Sequence, residues 1–451
     1  MSEPSSVPII DGFNAARFLV EFARYPTEVA RAYQEKHGPA ILLRPSPLQG
    51  AKGRSFFVTA NRDVANHVLN NTAKFRTVGI ALTRGPKNSA QRRLRNGMVR
   101  MNGPEQMALR RAYAPSLSNK KLKLQRHKLQ QICERELLKW PKAEVFDAHS
   151  GSIELAHKVS ADLLFGIPDD PLIADLGEKI CGQLLMQYSL RTYLFPLNLP
   201  GTPYSRLLKH AEEIEADLLE WLQNRSCERD SLTACIAELN EIDALDRAAQ
   251  LWTLYAASFE TTATALRWTL LHLAWNPETQ EALFADVQTH GHQSSYLDAV
   301  LLESLRLSTP GPFQLRRLHE TVELAGVVLQ RKDHVAINAA AINRDREFFD
   351  APHAFRPERW HRSSQSPMSP LAFSAGPRRC LGAHFAMLVL RTFLASLFGK
   401  YKIDVPDNAK IDTKLANTHG PSSLPIRLIS GTSKARASRF TGRARDQMSG
   451  Q

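Results

Sequence analysis

The chain has 451 residues, 43% of them hydrophobic, and its 58 basic and 45 acidic side chains give a formal net charge of +13. This length allows a large core, and no Gly/Ser-rich linker or change of composition divides the chain, so one large domain is expected. The five cysteines are scattered without a Cys-x-x-Cys pair, so neither a disulfide framework nor a zinc site is supported, and a reducing compartment is expected.

The two ends of the chain are expected to lie outside the folded domain, and the N-terminal end does not resemble a signal peptide. The N-terminal residues lack the basic and long apolar segments of a signal peptide, and no apolar run reaches the roughly 18 residues of a membrane span, so a soluble, cytoplasmic protein is expected. Residues 1–14 are expected to be flexible, residues 15–430 to fold, and residues 431–451 to form a basic, disordered tail. Basic tails occur in nucleic-acid-binding proteins, but a solvated tail without a nucleic-acid partner is the simpler interpretation.

Hydrophobic periodicity predicts a mainly α fold with a minor β region. The predicted helices cover residues 27–37, 61–69, 119–140, 152–165, 172–190, 205–225 and 242–272, and further helices begin near residues 103, 277, 294 and 381. Short strands are predicted at residues 40–44, 55–59, 313–316, 321–330, 334–341 and within 401–428.

Basic side chains concentrate in two segments. Residues 84–100 contain six basic and no acidic side chains, which is typical of a solvated loop but also suits capture of a substrate carboxylate or of an acidic carrier protein. Residues 119–127, NKKLKLQRH, open a strongly basic helix that could attract an acidic protein. Between them, Gln106 and Arg110 are four residues apart and therefore share one face of a helix.

Polar residues interrupt the longest apolar helix pattern. Glu260, Thr261 and Thr262 lie at the centre of residues 242–272, where polar groups are costly unless they have partners or a task. One interpretation is structural, with each threonine hydroxyl bonding back to the carbonyl four residues earlier. The other is catalytic, with an acid and an alcohol delivering protons to a ligand.

Glu303 and Arg306 are three residues apart within a leucine-rich helix pattern. An exposed pair at this spacing is ordinary, but burial among leucines would require a further partner. The later segment Arg356–Trp360, RPERW, offers Arg359 as that partner.

The segment Phe373–Gly382, FSAGPRRCLG, delivers a single cysteine, Cys380, to the start of an apolar helix pattern. The helix N-terminus and the neighbouring Arg378 and Arg379 are expected to lower the pKa of the Cys380 thiol. A lone cysteine is most often a buried structural thiol. With no second cysteine or histidine at the spacing of a metal cage, a reactive Cys380 would suit a single axial bond to an iron.

The ordered positions of this segment match the F-x-x-G-x-R-x-C-x-G pattern, and the chain therefore resembles the cytochrome P-450 family of haem-thiolate monooxygenases. The E-x-x-R pair, the later P-E-R segment and the A-S-F-E-T-T stretch of residues 257–262 also resemble family motifs in the correct order. Ser258 departs from the glycine that is usual at its position. The resemblance covers residues 15–430 and implies the cytochrome P-450 fold in one large domain.

The resemblance also implies the roles of individual residues. Cys380 is the implied axial ligand of heme b, an iron protoporphyrin IX, with Phe373 packed near its sulfur and Gly382 completing the motif. The implied propionate-binding residues are Gln106, Arg110, Arg316 and Arg378. Thr261 is implied to hydrogen-bond the O2 co-substrate and its water, and Glu260 to relay protons. Glu303, Arg306 and Arg359 form the implied structural triad, and the predicted pocket residues are Thr253, Ala256, Ala257 and Phe313.

The implied function is a monooxygenase that inserts one atom of O2 into a hydrophobic substrate or biosynthetic intermediate. Its electrons would come from an acidic ferredoxin or a flavodoxin-type donor, and its substrate could be bound to an acidic carrier protein. Three alternatives stay open: a peroxygenase or isomerase, an oxidase that performs desaturation or phenol-type coupling, and a non-enzymatic haem sensor. A peroxygenase or isomerase would not need the acid and alcohol of Glu260 and Thr261.

Overall fold

A computed structural model describes residues 7–44, 54–78, 83, 85–224, 231–239, 242–361, 370–415 and 417–449. The α-helices of these residues are α1 (Gly12–Arg24), α2 (Pro26–His37), α3 (Arg62–Asn70), α4 (Ala90–Leu94), α5 (Pro104–Tyr113), α6 (Asn119–Leu124), α7 (Arg126–Leu138), α8 (Ala148–Phe165), α9 (Pro171–Gln187), α10 (Leu190–Leu194), α11 (Pro203–Asn224), α12 (Leu232–Ala237), α13 (Ala244–Trp275), α14 (Pro277–His290), α15 (Ser295–Leu307), α16 (Ala339–Ile342), α17 (Ala383–Phe398) and α18 (Arg443–Ser449).

The strands are short and most lie in the second half of the chain. They are β1 (Ile9–Ile10), β2 (Ala40–Leu43), β3 (Phe56–Thr59), β4 (Phe75–Thr77), β5 (Val145–Asp147), β6 (Phe313–Leu318), β7 (Val322–Leu324), β8 (Val327–Leu329), β9 (His334–Asn338), β10 (Tyr401–Asp404), β11 (Thr413–Leu415), β12 (His419–Pro421) and β13 (Pro425–Ser430). The mainly α fold with a minor β region is confirmed, and the chain forms one domain.

Helix α13 is the central element of the helical part. Its N-terminus is capped by the Asp243 side chain, which accepts a hydrogen bond from the backbone N–H of Asp246 at 2.7 Å. The helix packs against α4, α8, α11, α15 and α17, so its second half is buried on every side. The sequence from Ala263 to Trp275 is accordingly rich in leucine, alanine and tryptophan, and its buried polar side chains, such as Thr264 and Arg267, have hydrogen-bond partners within the protein.

The largest sheet has six strands in the order β1-β2-β3-β9-β6-β4. Strand β3 runs parallel to β9, whereas β6 pairs antiparallel with β9 and places Phe313 opposite Asn338. Strand β4 covers the other edge of β6 and pairs Thr77 with Arg316. The sheet therefore presents the start of β6, from Phe313 to Arg316, to the helical part of the molecule.

The region 119–140 forms two helices rather than the single predicted one. Helix α6 ends where the N–H of Gln125 bonds to the carbonyl of Leu122 at 3.2 Å, three residues back, and α7 begins at Arg126. Leu122 and Leu129 are both buried, and because residues seven apart also share one face of a continuous helix, their spacing does not reveal the break. The hydrophobic pattern alone does not distinguish such a break from a continuous helix.

The basic C-terminal segment differs from the disordered tail that its charge predicts. Residues 431–449 pack on the domain: the ring of Phe440 lies 5.0 Å from that of Trp275, and the N–H of Ile411 bonds to the carbonyl of Thr441 at 2.8 Å. Ala444 and Met448 of α18 and Phe440, which precedes the helix, are buried at four-residue spacing, an apolar pattern that a prediction from charge alone does not include. Residues 450 and 451 lie outside the described part of the chain.

In the part of the chain that the structure describes, no helix combines the length and apolar character needed to cross a membrane. The four cysteines found there are all free thiols, and Cys227 lies outside the described residues.

Candidate active site

One cavity of about 530 Å³ lies between α13, β6 and the loop that carries Cys380. Most of the candidate site residues line it, although they come from distant parts of the chain. They are Gln106, Arg110, Thr253, Ala256, Ala257, Thr261, Phe313, Arg316, Phe373, Arg378, Cys380 and Gly382. Glu260 is absent from this wall.

The loop before α17 holds Cys380 at the cavity floor. The N–H of Cys380 donates to the carbonyl of Phe373 at 2.8 Å, which closes the loop on itself. Gly376 has a φ of +67°, and a Cβ at this position would lie 2.6 Å from the carbonyl oxygen of Leu69. The loop can therefore approach α3 this closely only with glycine at position 376.

Cys380 is exposed to the cavity, and desolvation by the surrounding protein raises the pKa of its thiol. A hydrogen bond from the backbone of Gly382 and the positive charges of Arg110 and Arg379 act in the opposite direction. The expectation of a lowered pKa was wrong, because it counted the helix N-terminus and the arginines but not the desolvation of the thiolate. A bound cation would supply the missing stabilisation of the thiolate.

Three arginines meet beside Cys380 without a carboxylate among the described residues to balance them. Burial lowers the pKa of Arg316 to about 10, and burial together with the charges of Arg316 and Arg110 lowers the pKa of Arg378 to about 10. Arg378 donates to the carbonyls of Met101 and Val99 at 2.8 and 2.7 Å. Within the described chain the Nε of Arg316 is buried and has no hydrogen-bond partner.

This set of residues fits a haem. Mutual repulsion of Arg110, Arg316 and Arg378 and an orphaned buried N–H are costly unless anionic groups bind there. The two propionates of a haem would satisfy the arginines, and its iron would take the Cys380 thiolate. Gln106, buried on α5 one turn before Arg110, adds an uncharged donor at the same wall.

Helix α13 forms the opposite wall with small side chains. Ala256 and Ala257 line the cavity and leave space above Cys380. The Thr261 hydroxyl donates to the carbonyl of Ala257 at 2.8 Å, and the Thr262 hydroxyl donates to that of Ser258 at 2.7 Å. Both hydroxyls thus make the structural bond to the preceding turn, and the Thr261 oxygen keeps acceptor lone pairs towards the cavity.

Glu260 points away from the cavity, towards the hairpin of β11 and β12. Its carboxylate accepts a hydrogen bond from the Thr418 hydroxyl at 3.2 Å. Burial raises the pKa of Glu260, while hydrogen bonds from Asn417 and Thr418 and the charge of Arg267 oppose that rise. Glu260 is therefore a half-buried acid that faces the hairpin, and not the cavity-facing acid expected beside Thr261.

The structure brings Glu303, Arg306 and Arg359 together behind the cysteine loop. Arg306 makes a bidentate pair with Glu303 at 2.8 and 2.9 Å, both side chains being fully buried, and Arg359 reaches the same carboxylate at 3.0 Å. Trp360 Nε1 and the N–H of Arg356 each donate to Glu303 at 2.9 Å. The carboxylate thus accepts five hydrogen bonds and links α15 to the Pro357–Trp360 turn.

Sequence reasoning missed several residues at this site. Asn417 lines the cavity and accepts a hydrogen bond from the Tyr188 hydroxyl at 2.9 Å, and Arg95 is a buried arginine in the same wall. The sequence predicts a solvated loop for the basic segment that contains Arg95, so its burial is not expected. No motif marks the turn at Asn417. The sequence did contain a signal for polar contacts on the Glu260 face of α13. Thr264 and Arg267 follow Glu260 by four and seven residues and therefore share its helix face.

Comparisons with known proteins agree with this geometry. The cytochrome P-450 family profile matches residues 16–428. Pentalenene oxygenase of Streptomyces avermitilis is 24% identical over 88% of this chain and 91% of the relative, and cyclooctatin synthase of Streptomyces melanosporofaciens is 26% identical over 91% and 93%.

Two solved structures share the fold. Retinoic-acid-bound cyanobacterial CYP120A1 superimposes with a TM-score of 0.80 at 18% identity, covering 94% of this chain and all of the other. A mutant of the cytochrome P-450 EryK in complex with erythromycin B has a TM-score of 0.69 at 20% identity over 95% of this chain. The chain belongs to the cytochrome P-450 family, the haem-thiolate monooxygenases that act on small molecules with O2 and a redox partner.

Proposed function

We propose that this enzyme hydroxylates an apolar small molecule held between α13 and Cys380, according to R–H + O2 + two electrons + two protons → R–OH + water. The observation that carries the proposal is that Cys380, the three arginines and Thr261 open into one cavity. Haem supplies the activation of O2, and the protein supplies the ligand, the orientation and the exclusion of water.

The residues that would hold the haem follow from the geometry of the cavity floor. Cys380 is the proposed axial ligand, and Arg110, Arg316 and Arg378 are the proposed partners of the propionates, with Gln106 beside them. The orphaned Nε of Arg316 supports this assignment, because a propionate would remove the cost of burying it. Phe373 and Gly382 border the thiol, so they would shape its environment.

The substrate is proposed to be a hydrocarbon or a hydrocarbon-rich biosynthetic intermediate. The wall above Cys380 is built from apolar side chains such as Leu163, Leu184 and Trp252, together with Phe313 and Ala256. A relative is named as an oxygenase of pentalenene, which is consistent with such a pocket. Thr253 and Asn417 are among the polar residues that line the cavity, and such groups can set the orientation of a ligand.

The electron donor is proposed to be an acidic ferredoxin or a flavodoxin-type protein. Helices α6 and α7 carry the basic segment 119–127 and pack against α17, the helix that follows Cys380. Lys120 and Lys123 are exposed there, so an acidic partner would be steered to the side of the molecule nearest the thiolate. Exposed Leu124 adds an apolar contact at the same place.

The contacts of the basic segment 84–100 give less support to the binding of an acidic carrier protein. Arg93 makes a bidentate pair with Glu215 of α11 at 2.5 and 2.8 Å, and Arg92 bonds to the carbonyl of Gly85 at 3.0 Å. Arg95 is buried and bonds to the carbonyl of Thr83 at 3.0 Å. Since these side chains bind within the protein, the segment is proposed to close the cavity; Arg84 lies outside the described residues.

Turnover in ¹⁸O2 tests the reaction type. With a ferredoxin and its reductase, the enzyme is expected to convert a polycyclic hydrocarbon to an alcohol that carries one labelled oxygen atom. Mass spectrometry of the product measures how many labelled oxygen atoms it contains. A desaturated or coupled product without label would contradict the proposed hydroxylation and favour the oxidase alternative.

Replacing Thr261 by alanine tests the proposed role of its hydroxyl in holding O2 and water. We expect haem binding to persist, while the fraction of electrons recovered in product falls about tenfold or more and peroxide rises, since a positioned proton donor is worth at least that factor. Thr269→Val is the matched control, because the Thr269 hydroxyl bonds to Ser304 at 2.9 Å, away from the cavity. Equal coupling in both variants would remove Thr261 from the proton route.

A further inference from the structure

The buried Glu260 ends a line of hydrogen bonds that crosses one face of α13. Arg267 Nη2 donates to the Thr264 hydroxyl at 2.8 Å, the hydroxyls of Thr264 and Thr418 lie 2.9 Å apart, and the Thr418 hydroxyl donates to Glu260 Oε1 at 3.2 Å. Each of these four side chains is buried or half-buried. The line connects the acid to a permanent positive charge two turns further along the helix.

The direction of every bond in this line is determined by chemistry. A guanidinium can only donate, so the Thr264 oxygen accepts from Arg267 and its own hydrogen is free for Thr418. The Thr418 hydrogen goes to the Glu260 carboxylate, which as an anion only accepts. Bonds aligned head to tail polarise one another, so the line presents Glu260 with a stronger donor than an isolated threonine.

A second polar residue of the hairpin turn, Asn417, lies near the same carboxylate and opposes the rise of the Glu260 pKa. The Tyr188 hydroxyl donates to the Asn417 oxygen at 2.9 Å, so the Asn417 amide hydrogens are not used in that bond, and Glu260 Oε2 has no hydrogen-bond partner among the described residues. Because Asn417 also lines the cavity, it joins the buried acid to the space above Cys380. The path from acid to cavity therefore runs through the turn of β11 and β12.

The hairpin is seated on α13 along this face. Trp268 Nε1 and Arg267 Nη1 donate to the carbonyls of His419 and Pro421, both at 2.9 Å. A Cβ on Gly420 would lie 2.6 Å from Cγ2 of Thr264, so glycine allows the hairpin to approach close enough for the Thr264–Thr418 bond. The close packing of the hairpin on α13 therefore depends on glycine at position 420.

We propose that Arg267, Thr264 and Thr418 are positioning residues for the monooxygenase reaction. Their aligned donors hold the Glu260 carboxylate in one orientation and favour its ionised form, so that it can take up a proton from solvent and pass that proton on through cavity water to the oxygen held at Thr261, returning to the carboxylate. This inference rests on the proposed function, but it concerns the buried state of Glu260 rather than the identity of the haem ligand.

The test is the titration of Glu260 in the haem-bound protein, read as the carboxyl C=O stretch in infrared difference spectra and assigned by its loss in Glu260→Gln. Other ionisable groups that face Glu260 are Cys181 of α9, Tyr188 directly after that helix, and Arg267 from its own helix. Thr418→Val removes the donor to the ionised form, and Thr264→Val removes the hydroxyl that polarises this donor, so the midpoint should rise in both variants, by about one pH unit in Thr418→Val.

The controls separate positioning from general damage. Thr418→Ser keeps the hydroxyl and should restore both the wild-type midpoint and the coupling of electrons to product, whereas Thr418→Val should lose both. Thr269→Val removes a buried hydroxyl of the same helix outside the line and should leave the midpoint unchanged. Thr264→Val, an isosteric change inside α13, provides the same test if Thr418→Val does not fold.

Two outcomes would overturn the inference: an unchanged midpoint in folded Thr418→Val and Thr264→Val proteins, or the same shift in Thr269→Val. Failure of the proposed function has a different signature. In that case the wild-type protein would lack the absorption spectrum of a thiolate-ligated haem, whatever the midpoint of Glu260.

Discussion

Replacing Glu303 by glutamine is expected to destabilise the protein by about 3–5 kcal/mol, the cost of breaking a buried ion pair by removing one partner. Glutamine keeps the size of the side chain but removes the charge that balances Arg306, which is fully buried. It also offers fewer acceptors to Arg359 and Trp360, which donate to the same carboxylate. Since the triad joins α15 to the turn before the cysteine loop, we expect haem retention to fall together with stability.

The measurement is denaturant unfolding of the haem-bound protein, followed by far-ultraviolet circular dichroism and by the haem absorption band. Glu21→Gln is the matched control, because Glu21 pairs with Arg17 on an exposed helix face and should change stability by less than about 1 kcal/mol. If Glu303→Gln unfolded within about 1 kcal/mol of the wild type, the triad would not be the buried structural element described here.

Replacing Cys380 by serine is expected to abolish the thiolate spectrum and the monooxygenase activity. A neutral hydroxyl does not supply the electron density of a thiolate, so the band of the reduced carbon monoxide complex should move from about 450 nm to about 420 nm. Product formation should fall by about a hundredfold or more, because the thiolate favours cleavage of the O–O bond. The fold should persist, since serine conserves the volume of the side chain.

Cys235→Ser serves as the control for this substitution. Cys235 is half-buried beside Ser116, on α12, and its loss should leave both the spectrum and the activity unchanged. Retention of the band near about 450 nm in Cys380→Ser would refute the ligand assignment.

The motifs of the sequence were sufficient to predict the residues of the cavity floor. Phe373, Arg378 and Cys380 lie within eight residues, and a short loop between a strand-rich region and an apolar helix leaves little freedom in where they point. The burial of Glu303 and Arg306 was also predictable, because leucines surround them in the helix pattern. In each case the local sequence contains most of the contacts that determine the geometry.

The orientation of Glu260 and the pKa of Cys380 could not be predicted in the same way. Glu260 turns towards Thr418, which is 158 residues later in the chain and follows a strand without any motif. Desolvation of the Cys380 thiol depends on the whole cavity, including α13, and is larger than the local effects of the helix N-terminus. Both properties arise from contacts between segments that are distant in sequence.

The basic charge of the C-terminal segment led to a wrong prediction of disorder. Five basic residues between Lys434 and Arg445 predict solvation, yet Arg436 pairs with Asp404 at 3.2 Å and Arg443 lies over the Tyr25 ring at 4.4 Å. With these charges accommodated at the surface, the apolar face of Phe440, Ala444 and Met448 can be buried.

The most direct test of the account is the absorption spectrum of the reduced wild-type protein under carbon monoxide. We predict a band near about 450 nm, the signature of an iron bound by the Cys380 thiolate. A band near about 420 nm in well-folded protein would mean that the thiolate is absent or protonated, and it would contradict the proposal that Cys380 is the ligand.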